Sequence, residues 1–404
     1  MSVSLPQGFR VGGVSCGIKI VADTLDLSLV VSDRPAAAAG TYTTNLVFAA
    51  PVKWDRDLTP SERVRGVVVN SGNANACTGQ RGDADCRRMA ELAAAACGAE
   101  AEQFLVLSTG VIGQFLPLEK VERGIRDVSG KLGTDDAAIV AAARGMLTTD
   151  TRHKVAGRTI EVAGGTVRLI GMCKGAAMIG PRMATMLGIL LTDAPLLPTD
   201  AQRLLSAAVE DSFNCISVDG HMSTNDTVLL LANGAANLAA GARGGKPLAG
   251  ADLKKFADEL NGLCRELAVM IPADGEGATH LVEVDVSGCR DRESARRIAQ
   301  SVSESLLVKT AVCGGDPNWG RIVSAAGYAG IPFDPAGVSL WVNGIPLYAD
   351  GAPLPFDRAA ASRSIRENRD TRIRLTFCEG SAGVRFWTTD LTAEYVRLNA
   401  DYFT

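Results

Sequence analysis

Residues Lys174–Leu187 read KGAAMIGPRMATML. They place one hydroxyl, Thr185, between Ala184 and an apolar run, with Pro181 just before and Lys174 eleven residues upstream. As plain structure this is a β-branched residue in a buried strand. The chemical reading is a self-processing site. A threonine hydroxyl is a poor nucleophile without a base. An N-terminal threonine carries its own base, because an α-amine titrates at about 7.7–8.0. Thr185 acquires that amine only if the Ala184–Thr185 peptide bond breaks.

Four further segments share the polar, glycine-rich character of this one. They are NSGNANACTG (Asn70–Gly79), STGVIG (Ser108–Gly113), DGHMSTNDT (Asp219–Thr227) and DGEGATH (Asp274–His280). Asn, Ser and Thr beside Gly put hydrogen-bonding side chains next to accessible backbone. Any one of them alone reads as a turn network. Two follow apolar runs directly: Asn70 ends VVVN, and Ser108-Thr109-Gly110 follows FLVL. Loops at strand ends are favoured places for sites.

Composition narrows the classes. A chain of 404 residues suits two domains or one large fused unit. With 47% hydrophobic and 21% charged residues it has ample material for a core. A net charge of −4 argues against a nucleic-acid binder that relies on a basic surface. Three histidines, His153, His221 and His280, argue against a histidine-rich metal site and read as ordinary structural or surface residues. The ten cysteines are scattered without a CxxC pair, as reduced thiols of a cytoplasm-like compartment would be. The N-terminal MSVSLPQGFR lacks the basic-then-apolar pattern of a secretory signal. The uncharged run Pro35–Val52 is interrupted by Gly40, Thr41, Thr43, Thr44 and Asn45, so no membrane span is expected. A P-loop fails at Gly245-Lys246, which Pro247 follows, and Gly275-Glu276-Gly277 ends in His280 instead of completing GxGxxG.

Periodicity predicts helices and strands in alternation. Asp83 is the expected cap of a helix running through Ala90 and Ala94 to Gly98. A second helix opens at Pro117 with Leu118, Val121, Ile125 and Val128 on one face. A third carries Leu253, Phe256, Leu260, Leu263 and Leu267. A fourth carries Ala295, Ile298, Val302 and Leu306, with Arg292, Arg296 and Glu304 on a solvated face. Expected strands are Gly66–Asn70, Val167–Met172, Thr227–Leu231, Val282–Val286, Ser339–Val342, Arg372–Phe377 and Val384–Thr388. VVVN and TVLLLANG read as buried on both faces. Ala239–Gly250 reads as a mobile connector. The expected class is α+β, a mixed α/β sandwich with helices packed on sheets.

Taken in order, these segments resemble the self-cleaving ornithine acetyltransferase (glutamate N-acetyltransferase) family of arginine biosynthesis. The resemblance runs along the whole chain. It begins at GFRVGGVSCGIK (Gly8–Lys19), AAGTYTTN (Ala38–Asn45) and AAPV (Ala49–Val52). It passes through the five polar segments and GGDPNWGRI (Gly314–Ile322) to TTDLTAEYVRLNADYFT (Thr388–Thr404). It implies an N-terminal-nucleophile-like enzyme that cuts itself between Ala184 and Thr185 into an α chain (1–184) and a β chain (185–404), which assemble as α2β2. It implies Thr185 as acetyl acceptor, with Thr109 and Gly110 forming the oxyanion hole. It implies substrate contacts at Thr148 of TTDT, Lys174, Thr185, Glu276, Asn399 and Thr404, with Lys174 on a substrate carboxylate and Glu276 on the ornithine ammonium. It implies no metal and no cofactor, and leaves open whether acetyl-CoA is also a donor.

The substrates implied are N2-acetylornithine and glutamate, in a cytoplasmic enzyme. Taken alone, Lys174 also reads as a surface charge, Glu276 as a cap, and Asn399 and Thr404 as a frayed tail. The family pattern commonly has Asn where Arg182 stands, Asp-Thr at His221-Met222 and Lys at His280, which bears on cleavage rate and substrate preference. Two other readings stay open: a self-processing amidohydrolase or aminopeptidase that passes the acyl group to water, and a non-catalytic relative that does not cleave.

Overall fold

The computed structural model describes residues 4–21, 23–180, 186–238 and 246–401. The first sheet holds β1 (Phe9–Val14), β2 (Leu27–Tyr42), β3 (Ser61–Asn73), β4 (Phe104–Val111), β5 (Lys154–Val162), β6 (Gly165–Lys174), β7 (Leu187–Thr192) and β8 (Thr227–Ala232). Its order is β4-β3-β2-β8-β7-β6-β5, with β1 also on β2. β3 and β4 are parallel, as are β7 and β8; the other pairs are antiparallel. The long β2 pairs β1 through Leu27–Ser32 and β8 through Ala37–Tyr42, so those two strands share one of its edges end to end.

Burial follows the two-residue period of a strand. In β8, Val228 and Leu230 face one core while Leu229 and Leu231 face another; Leu190 and its neighbours Ile189 and Leu191 divide in the same way in β7. Both strands are therefore buried throughout, as TVLLLANG predicts for β8. One face is covered by helices α5 (Pro198–Glu210) and α6 (Gly250–Met270), the latter through Phe256, Leu260, Leu263 and Leu267 as expected. At β3 and β4 that role passes to α1 (Ala50–Leu58), α2 (Gly79–Cys97) and α3 (Leu118–Ser129). α4 (Asp136–Gly145) lies on the opposite face.

The second sheet holds β9 (Leu281–Cys289), β10 (Ser339–Val342), β11 (Ile345–Ala349), β12 (Ala352–Pro353), β13 (Asp370–Thr376) and β14 (Ala382–Thr389), in the order β12-β11-β10-β13-β9-β14. Its inner face, with Val284, Ile373, Leu375 and Phe386, joins the core under α5 and α6 and is covered by α7 (Arg292–Glu304). On β13 the alternation predicted for Arg372–Phe377 is present: Arg372 points out to Glu283 at 3.0 Å and Asp285 at 2.7 Å. The chain continues through α8 (Leu306–Cys313), α9 (Trp319–Gly327), α10 (Arg358–Arg366) and α11 (Ala393–Asp401). The fold is mixed α and β with helices packed on sheets. Among the described residues no helix is long and apolar enough to cross a membrane, and all ten cysteines are free thiols. The segments before and after residue 184 meet in one sheet, with β7 and β8 set between β2 and β6.

Three helix expectations change. α2 begins at Gly79, four residues before Asp83, because the buried Asn75 side chain donates to the Gly82 carbonyl at 2.9 Å and draws a glycine-rich turn into the helix. Asp83 instead pairs with Lys53 on the surface. α7 stops at Glu304 and Ser305 starts α8, so Leu306 lies in a new helix and is exposed. Arg296 is buried rather than solvated, because Glu293, one turn back on the same helix, holds its guanidinium at 2.8 Å. Most of the expected connector Ala239–Gly250 lies outside the described residues.

Candidate active site

The C-terminal ends of the parallel pair β3 and β4 start the site. The Ser108 hydroxyl donates to Asn70 Oδ1 at 2.6 Å, and Asn70 Nδ2 donates to the Asn73 carbonyl at 2.8 Å. Asn225 Nδ2 bridges both strand ends, donating to the Ala74 carbonyl at 2.7 Å and the Ser108 carbonyl at 2.9 Å. Three polar segments thus satisfy one another's buried groups, as burial requires. Gly110 sits among them at φ +135°, where a Cβ would lie 2.3 Å from the Gly72 carbonyl carbon. Only glycine fits that approach.

The end of β6 brings Lys174 to the same place. Its side chain is buried rather than on the surface, and Nζ donates to Thr109 Oγ1 at 3.2 Å. Burial pushes this ammonium below its ordinary value, with the Asp150 carboxylate opposing. Asp150 accepts the Gly175 N–H at 2.7 Å, the Thr148 N–H at 3.2 Å and Lys154 Nζ at 2.6 Å. Lys154 also donates to Asp274 Oδ2 at 2.6 Å, and Asp274 accepts the Thr151 N–H and hydroxyl. This buried network ties the Thr148 turn to the loop that carries Glu276. Burial works against the charge on Lys154, yet Asp150 and Asp274 outweigh it and hold the ammonium above its usual value. Burial raises Asp226 to about 8, although its carboxyl accepts the Met186 N–H at 2.8 Å.

A cavity of about 410 Å³ opens over these groups, within the range of roughly 300–1,000 Å³ usual for small-molecule sites. All five polar segments line it, through Ala74, Thr109 with Gly110, Lys174, Asn225 and Glu276 among others. Thr148 and Asn399 complete the wall. Asn399 Nδ2 donates to Glu276 Oε2 at 2.9 Å, so α11 is docked at the cavity and is no frayed tail there. Every expected site residue within the described part of the chain therefore converges here: Thr109, Gly110, Thr148, Lys174, Glu276 and Asn399. Ala184, Thr185 and Thr404 lie outside the described residues, as does Arg182. Met186 is the first described position after the cut expected at Ala184–Thr185, and Leu187 pairs with Lys174 across β6 and β7.

The two histidine departures separate. His221 is exposed and lines the cavity. His280 is buried, with Nδ1 3.1 Å from Asp390 Oδ2 and Nε2 3.2 Å from the Ile365 carbonyl, and takes no part in the lining.

Asp150, Lys154, Asp219, Asn225, Asp226 and Tyr395 belong to the site or its support without having been singled out. Asp219 accepts the Met178 N–H at 2.7 Å and the Tyr395 hydroxyl at 3.1 Å, joining three segments. Asp150 stands in the same TTDT as Thr148, and Asp219, Asn225 and Asp226 stand in DGHMSTNDT, so their motifs were a signal. Tyr395 stands in the quoted TTDLTAEYVRLNADYFT, whereas Lys154 carried no signal. Among the described residues no group of three His, Cys, Asp or Glu side chains could hold a metal.

An α+β fold whose strand-end loops close on such a cavity has the form of a small-molecule site. The comparisons with known proteins are specific. The ArgJ family matches residues 10–404. The arginine biosynthesis bifunctional protein ArgJ of Rhodopirellula baltica is 45% identical over 400 residues, which cover 99% of this chain and 96% of that protein. The protein of the same name from Symbiobacterium thermophilum is 44% identical over 409 residues, covering 100% and 98%. The crystal structure of arginine biosynthesis bifunctional protein ArgJ from Bacillus halodurans aligns at a TM-score of 0.49 and 35% identity, over 52% of this chain and 96% of that one. The chain belongs to the ArgJ family.

Proposed function

We propose that this enzyme moves an acetyl group from N2-acetylornithine to glutamate through an acetyl-Thr185 intermediate. The observation that carries the reading is the convergence of Thr109, Gly110, Thr148, Lys174, Glu276 and Asn399 on one cavity, with the strand that follows Thr185 paired beside Lys174. Processing begins when the Thr185 hydroxyl attacks the Ala184 carbonyl. The C–N bond breaks, an ester links Ala184 to Thr185, and water hydrolyses it. The products are a carboxylate on Ala184 and a free amine on Thr185.

In the mature enzyme that amine takes the Thr185 hydroxyl proton as the oxygen attacks the acetyl carbonyl. Thr109 and the Gly110 N–H stabilise the oxyanion, and ornithine leaves as the amine. The glutamate amine then attacks acetyl-Thr185 and regenerates the hydroxyl, a ping-pong cycle. Thr148, Glu276, Asn399 and Thr404 contact the substrates, with Glu276 on the ornithine ammonium. The cut chains 1–184 and 185–404 assemble as α2β2 in the cytoplasm. No cofactor or metal takes part; acetyl-CoA as an alternative donor to Thr185 is settled by assay with glutamate.

Denaturing mass spectrometry combined with a transfer assay tests the reading. Wild type runs as two chains and converts N-acetylornithine and glutamate stoichiometrically to ornithine and acetylglutamate. Thr185→Ala runs as one inactive chain, while Thr185→Ser keeps part of both functions. Free acetate in place of acetylglutamate identifies a hydrolase instead. An intact wild-type chain that still transfers acetyl groups overturns the mechanism.

A further inference from the structure

The Lys174 ammonium has a use that binding a substrate carboxylate does not explain. It is 2% exposed, at the floor of the cavity, and the hydrogen bond it gives runs to the oxygen of Thr109 at 3.2 Å. Thr109 is itself 6% exposed. A hydroxyl oxygen that accepts from an ammonium keeps one hydrogen to give. Among the described residues the Thr109 hydroxyl hydrogen finds no acceptor, while Thr109 lines the cavity. A donor whose own oxygen accepts from a cation is polarised and binds an anion more strongly, the more so at low dielectric.

We propose that Lys174 is a positioning residue for the oxyanion donor: its ammonium takes the acceptor side of the Thr109 hydroxyl, turns the O–H into the cavity and strengthens it. This rests on the acetyl-transfer reading above and replaces a role for Lys174 on a substrate carboxylate. Asp150, bonded to the Gly175 N–H beside it, favours the Lys174 charge most among the carboxylates around it, ahead of Asp226 and Glu276. The donor pair is thus already in place before substrate arrives, as transition-state stabilisation requires.

A double-mutant cycle on Lys174→Met and Thr109→Val tests it, with kcat and KM expressed per mole of cleaved chain. Each single change should lower kcat by about 10²-fold or more, with KM moving less than about threefold, and the double variant should lose little beyond the worse single one. Lys174→Gln, which keeps a neutral donor, should fall between wild type and Lys174→Met. A Lys174→Met variant that raises KM and keeps kcat, or losses that multiply in the double variant, overturns the proposal. Melting temperature reports any loss of folding. The rate of self-cleavage, read by mass spectrometry without substrate, runs the same cycle on the precursor, so variants that process poorly still report. Wild type that makes no acetylglutamate would sink the transferase reading, while the cleavage cycle would still report on the coupling.

Discussion

Asp226 accepts the Met186 N–H at 2.8 Å through Oδ1, and its Oδ2 has no partner among the described residues. A fully buried carboxyl is costly as an anion, and burial lifts it to about 8. An unfolded aspartate titrates near 3.9. Below that value both states hold the proton. Between about 4 and 8 the unfolded chain releases it and the folded chain does not, so stability falls as pH rises, by at most about 1.4 kcal/mol per pH unit.

Asp226→Asn keeps the Oδ1 acceptor and removes this titration. Its melting temperature should gain on wild type steadily from pH 5 to pH 8. Parallel curves for the two proteins would show that the carboxyl is ionised in the folded state.

Lys154 bridges Asp150 and Asp274 in the interior at 2.6 Å each. Lys154→Met leaves two buried carboxylates without the cation they share. Removing one member of such a pair costs about 3–5 kcal/mol, and thermal unfolding should show it directly. Because the network also holds the Thr148 and Glu276 loops, KM for N-acetylornithine should rise in whatever folded protein remains.

Two glycines at positive φ separate strain from collision. At Gly110 a Cβ meets the Gly72 backbone at 2.3 Å, whereas at Gly113, φ +83°, nothing lies within 4 Å. Gly113→Ala should cost only the left-handed penalty of about 1–2 kcal/mol and keep activity. Gly110→Ala must displace β3 from β4, and should lose both self-cleavage and transfer by at least about 10²-fold. Similar activities in the two variants would place the oxyanion hole elsewhere.

Cleavage after Ala184 should not release either chain. β7 and β8, from the later segment, lie between β2 and β6 of the earlier one and pair along both. Native mass spectrometry should show the two chains together, separating only in denaturant. Dissociation in native buffer would contradict this sheet order.

Docking of α11 is held in part by Asn399 Nδ2 on Glu276 Oε2. If Glu276 binds the ornithine ammonium as proposed, Asn399→Ala should raise KM for N-acetylornithine several-fold and change kcat less.

Much was legible in the residues themselves. The alternation from Arg372 to Phe377 specifies a half-buried strand, because side chains point to opposite faces in turn. The apolar run Thr227–Leu231 specifies a strand buried on both sides. The five polar, glycine-rich segments announced where backbone would be exposed to chemistry, and all five reached the cavity. β2 was missed: its four consecutive alanines, Ala36–Ala39, favour no period, and only its neighbours β1, β3 and β8 hold it extended. Lys174 read equally as a surface charge, and Arg296 as part of a solvated face. A charge can be buried only where other groups offset its lost hydration. Those groups are Asp150 for Lys174 and Asp150 with Asp274 for Lys154, and folding brings Asp274 to Lys154 across 120 residues. Local composition therefore determined the strands and the chemistry of the loops, while tertiary packing alone decided which charges went inside and which hydroxyl they meet.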